Sequence, residues 1–148
     1  MRRSIAILIA GLVVVGCGQA PPAPVAEADE PAVVEPVAGN ESLHHITLTP
    51  RAAERLGIET AEVVAAPGGT GRTRVPYSAV IYGADGDAWA YVVEDAPNQF
   101  VRHALTVEEI VPDAGGDYAV LAAGPSAGMS VVSVGVAELY GTEFEVGH

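Results

Sequence analysis

The chain has 148 residues with no lysine, and its seven arginines face nineteen acids for a formal net charge of −12. So acidic a surface repels phosphates and anionic headgroups, which excludes nucleic acid as a partner and charge alone as a means of holding a membrane. The single cysteine excludes a disulfide-braced fold.

The first residues read as an export signal. Arg2 and Arg3 form a positive start, and Ile5 to Val15 is apolar throughout except for Gly11. A bilayer core needs about 20 residues to cross, so this run suits the apolar region of a signal peptide better than a membrane span. Val14-Val15-Gly16-Cys17 closes it and resembles the bacterial lipobox, in which an aliphatic and a small residue precede the cysteine to be acylated. That resemblance implies a signal peptide over 1–16 and lipidation of Cys17. The protein would then sit in the cell envelope, attached to a membrane through its N-terminal acyl chains and facing the periplasm or the exterior. Each buried methylene contributes about 0.8 kcal/mol, so more than one chain makes such an anchor stable. The competing reading is an ordinary signal peptide or short anchor with an incidental cysteine, whose lone exported thiol then needs another explanation. Gly18 is not the aspartate that marks inner-membrane retention in enteric bacteria, so either membrane fits.

Cleavage before Cys17 leaves five arginines against nineteen acids, a charge of −14. Gly18 to Ser42 holds Pro21, Pro22, Pro24, Pro31 and Pro36 together with Glu27, Asp29, Glu30, Glu35 and Glu41. Proline removes backbone donors and like charges repel, which predicts a disordered, extended tether over 17–43.

Folded structure is expected over 44–148. His44, Ile46 and Leu48 alternate with His45 and Thr47, as in a short strand. Thr49 is placed to cap a helix that has Pro50 at its first position, runs from Arg51 to Leu56 and stops at Gly57. Ile58 to Ala65 reads as a strand, and Pro67 to Gly71 as a loop. From Arg74 the pattern is all β. Tyr77, Ala79 and Ile81 share one strand face, residues 83–87 turn, and Trp89, Tyr91 and Val93 alternate with Ala88, Ala90 and Val92. A turn at 96–98 leads to strands over 99–105 and 107–111, then a loop over 112–117. Strands follow over 118–122 and 130–134, separated by a turn at 124–128. The fold class expected is mainly β: one small barrel-like domain of short antiparallel strands with one short helix.

Two stretches resemble a known family. Val75-Pro76-Tyr77-Ser78-Ala79-Val80, the strand 89–93 and Phe100-Val101-Arg102 resemble the membrane-proximal end of periplasmic adaptor subunits, the membrane fusion proteins of RND-type efflux systems. That family then carries a Gly-Leu-x-x-Gly-Asp-x-Val-Val segment. Here it reads Gly124-Pro125-Ser126-Ala127-Gly128-Met129-Ser130-Val131-Val132, with Pro125 in place of the leucine and Ser130 near the aspartate position. Val134 to Leu139 resembles the short helix or turn that closes the domain. Residues 46–50 and 56–61 resemble the opening of metal-efflux adaptors. The resemblance thus places the family's start at 44–66 and its membrane-proximal end at 74–140. Full adaptors insert a lipoyl domain, a helical hairpin and a further barrel between these two pieces, and the loop 67–71 stands in their place. The resemblance implies a non-catalytic scaffold or accessory binding module in transmembrane transport. Its partner would be an inner-membrane efflux transporter or another adaptor subunit, and no cofactor is implied.

Few residues invite chemistry. His44, His45 and His103 are weak candidates for a metal, but strand neighbours point to opposite faces, so His44 and His45 would not readily share one ion. Pro67 to Gly71 lacks the lysine and following helix of a phosphate loop. Ser78 and Ser126 lack a nucleophile context, so no catalytic residue is assigned and the protein is read as no enzyme. Asp85 and Asp87 suit a turn, and Trp89 and Tyr91 suit a core. A metal-binding envelope lipoprotein and an orphaned adaptor remnant with no transport role stay open as alternatives.

Overall fold

The computed structural model describes residues 30–68 and 71–145. Cys17, the signal peptide and residues 17–29 of the expected tether lie outside them. The protein is mainly β, a nearly closed antiparallel barrel-like sheet with two short helices rather than one.

The strands run β1 (Ala32–Val37), β2 (Asn40–Leu48), β3 (Glu59–Glu62), β4 (Val64–Ala65), β5 (Thr73–Pro76), β6 (Ile81–Tyr82), β7 (Ala88–Val93), β8 (Gln99–Val111), β9 (Tyr118–Ala123) and β10 (Ser130–Val134). In space their order is β3-β10-β7-β8-β9-β5-β4. Strands β3 and β4 are successive stretches of chain joined at Val63, so the two ends of this order meet and the barrel nearly closes. Val63 makes the corner: its N–H donates to Met129 O at 2.8 Å, its carbonyl accepts from Gly128 N at 2.8 Å, and its side chain is fully buried. The seam between β10 and β7 is narrow, with Val131 opposite Val92 as its only paired position.

The barrel interior holds a buried cluster of Val63, Val75, Ala79, Ala90, Val92, Leu105, Ala119, Leu121 and Val131. Small and branched side chains fill so narrow a barrel, and each valine or leucine removed from water contributes about 1.5–3 kcal/mol. A second core lies on the outer face of the same sheet. There Ile46, Leu48, Tyr91, Phe100 and Val132 meet Ala52 and Ala53 of α1 (Pro50–Leu56), and Val136 and Leu139 of α2 (Val136–Glu145). Strand β7 therefore serves two cores: Ala90 and Val92 point into the barrel, while Tyr91 faces the helices. Both sets are buried.

Local chemistry explains α1. Thr49 is extended (φ −64°, ψ 151°), and its hydroxyl accepts from Ala52 N at 3.2 Å, with Pro50 where no N–H is needed. Gly57 takes the left-handed conformation at φ +65°, its N–H reaching Glu54 O and the next N–H, of Ile58, reaching Ala53 O.

Three expectations are corrected. The disordered tether over 17–43 does not extend through its second half: Ala32–Val37 pairs antiparallel with β2, Val34 opposite Ile46 and Pro36 opposite His44. Proline is compatible with an edge strand, where a missing N–H costs no ladder bond. Tyr77 to Ala79 form a 3₁₀ turn and not the start of a strand. The two strands expected over 99–105 and 107–111 are one thirteen-residue strand, whose register shifts at Thr106/Val107 and Val107/Glu109 bend it from one side of the barrel to the other.

Candidate functional site

The outer core contains one buried polar cluster, built from four elements. In the β7–β8 ladder Tyr91 stands directly opposite Arg102, so both project from one face. Helix α2 lays Glu143 over them, on the same helical stripe as the buried Val136 and Leu139. The Tyr91 hydroxyl donates to Glu143 Oε2 at 2.6 Å. Arg102 Nε lies 2.7 Å from the same oxygen, but its N–H is not aimed along that line, so charge holds this contact while Tyr91 supplies the directed hydrogen bond. His44 Nδ1, on β2, lies 3.2 Å from Glu143 Oε1. Arg102 Nη2 donates to Ser42 O at 2.9 Å.

Arg102 is also held between two rings. Its guanidinium carbon lies 4.7 Å from the centre of Trp89 and 5.0 Å from that of Phe144, and Phe144 in turn packs on Tyr140 at 4.7 Å. The Glu143 side chain has no exposure and that of Arg102 only 8%. Burial pushes the Tyr91 hydroxyl pKa well above its ordinary value. The hydrogen bond to Glu143 and that carboxylate's charge add to the rise, against a smaller opposing effect of Arg102. The cluster balances one cation with one anion. It has no free nucleophile, and its chemistry suits it to clamping α2 onto β2, β7 and β8.

The candidate histidines separate. His44 turns to Glu143, whereas His45 turns the other way, its Nδ1 2.6 Å from Glu94 Oε2. His103 is half-buried opposite Ala90. Among the described residues no three His, Cys, Asp or Glu side chains come together as a metal would require. Ser78 lies in the 3₁₀ turn, Ser126 is exposed in the β9–β10 turn, and Asp85 and Asp87 are exposed between β6 and β7. Tyr91 is a core residue as expected, but half-buried Trp89 serves as a platform for Arg102. Glu143 went unread in the sequence. Its signal was a carboxylate on the apolar stripe of a helix, a position that demands a buried partner.

Among the described residues no helix is long and apolar enough to cross a membrane. No family model, curated protein or solved structure matches the chain.

Proposed function

We propose that the protein is a non-catalytic envelope lipoprotein, anchored by Cys17, whose β domain acts as a scaffold or accessory binding module akin to the membrane-proximal part of an RND efflux adaptor. One observation carries this reading: the two stretches that resemble adaptors, separated in sequence only by residues 67–73, pair with each other in a single sheet. Strand β3 of the first stretch pairs with β10 of the second, and β2 pairs with β8. Ala66 N donates to Arg72 O at 2.9 Å, and β4 pairs directly with β5. The arginine of the Phe100-Val101-Arg102 stretch sits at the centre of the clamp that joins both stretches to α2.

Such a unit has outer surfaces for a partner, but among the described residues there is no helical hairpin with which to reach a distant channel. An accessory role beside a complete adaptor or transporter fits that geometry. Chemical crosslinking in the native envelope followed by purification through a tag on this chain tests it. Recovery of an inner-membrane transporter or an adaptor subunit is expected, and its consistent absence overturns the transport role. Lipidation has its own test. Cys17→Ser should move the chain out of the membrane fraction or block its maturation, and a cleaved Cys17→Ser chain that stays membrane-bound refutes the anchor.

A further inference from the structure

A cleft of about 500 Å³ opens at one end of the barrel. The 3₁₀ turn carrying Tyr77 and Ser78 forms one wall, and the start of β9, with Asp117 and Tyr118, forms the other. The walls are tied together, since Tyr77 N donates to Asp117 O at 2.8 Å. A second cleft of about 290 Å³ shares Ser78 and Ser133 with the first and continues to Glu138, at the start of α2. The two make one groove with a carboxylate towards each end.

Its chemistry is one-sided. No arginine or histidine lines either cleft, and among the described residues neither Asp117 nor Glu138 has an ion-pair partner. Tyr77 is 38% exposed, so ring area is open to a ligand. Its hydroxyl neighbours that of Tyr82 and pushes the Tyr82 pKa above its ordinary value. The groove wall itself already pairs a cation with an aromatic face: the Arg74 guanidinium lies 4.7 Å from the centre of the Tyr118 ring, and its Nη1 lies 3.7 Å from Asp113 Oδ2. Arg74 beside the wall is already ion-paired with Asp113, and the lining carboxylates repel a phosphate or carboxylate ligand, while the net charge of −12 draws cations towards the surface.

We propose that this groove is a docking site for an extended, arginine- or lysine-bearing segment of a partner protein. A basic side chain would lie across Tyr77, and the carboxylates of Asp117 and Glu138 would take the charges on either side. The proposal deepens the binding-module reading and rests on it for the partner's identity. Peptide binding by the isolated chain does not involve a transporter, so failure of the transport role and failure of the groove are separable.

Isothermal titration of the full chain in neutral detergent tests it with two blocked hexapeptides. One alternates arginine with alanine, and the other has glutamate in place of each arginine. The arginine peptide should bind and the glutamate peptide should not. Asp117→Asn and Glu138→Gln should each weaken binding about threefold. Tyr77→Ala should weaken it about fivefold, and Tyr77→Phe, which keeps the ring, should leave it unchanged. Glu54→Gln, on the exposed face of α1, is the control and should also leave it unchanged. Three results overturn the proposal: no binding of the arginine peptide, equal binding of the glutamate peptide, or a loss with Glu54→Gln as large as with Asp117→Asn.

Discussion

The Glu143 carboxylate sits 2.7 Å from Arg102 Nε with no solvent reaching the side chain, so α2 is fixed to the sheet by a charge that has nowhere else to go. Removing one member of such a pair strands the other in a low-dielectric site, which typically costs about 3–5 kcal/mol. Glu143→Ala and Arg102→Ala should each lower stability by about that amount. The combination Glu143→Leu with Arg102→Met should recover most of it, because apolar groups of similar size need no partner. Urea unfolding of the single and double variants gives the coupling directly. Additive effects would show that the pair does not act as a unit.

The hairpin β1–β2 gives a second expectation. Val34 pairs with Ile46 and packs on the outer core, whereas Val33, on the other face, is 44% exposed. Val34→Asp should destabilise the fold by about 1–2 kcal/mol, and Val33→Asp by less than about 0.5 kcal/mol. A tether reaching to residue 43 would leave both substitutions silent, so the difference in urea midpoints decides between them.

What could be read in advance divides by the range of the forces involved. The α1 caps at Thr49, Pro50 and Gly57, and the turns at 83–87 and 96–98, are local chemistry, and each stands where its residues placed it. Strand β1 was hidden because Pro36 and the surrounding acids resemble tether. Only pairing with β2 and the apolar floor under Val34 make a strand of it. Strand β8 looked like two strands because its register shifts around Val107 break the alternation that marks a strand. The clamp was half legible. Arg102 belongs to the Phe100-Val101-Arg102 stretch that carries the resemblance, but its partner lies forty-one residues further along the chain, and sequence spacing gives no hint of that approach.

Gly135 joins β10 to α2 at φ +85°, with Ile58 and the Leu56 carbonyl directly beside the place a Cβ would occupy. Both the backbone conformation and the space favour glycine. Gly135→Ala should cost about 1–3 kcal/mol. Adding Ile58→Val should return only part of that, since it relieves crowding and leaves the backbone strain. Full recovery would mean that crowding was the whole effect.

Tyr91 sets the behaviour at high pH. Its hydroxyl, ordinarily titrating near 10.0, is pushed upward in the folded chain, first by burial and then by its hydrogen bond to Glu143. A raised folded pKa means that above pH 10 the unfolded chain has released this proton while the native chain still holds it. Stability is therefore fully present below pH 10 and falls as pH rises beyond it, by about 1.4 kcal/mol per pH unit from this one group. Tyr91→Phe removes the titrating hydroxyl together with its hydrogen bond. The variant should be less stable at neutral pH, yet show a shallower loss above pH 10. Urea unfolding at intervals from pH 8 to about pH 11 measures both slopes. Tyr82→Phe provides the comparison, because Tyr82 is 49% exposed and its substitution should leave most of the steep limb in place. An unchanged slope in Tyr91→Phe would show that the alkaline loss originates in other groups and that the clamp does not govern it.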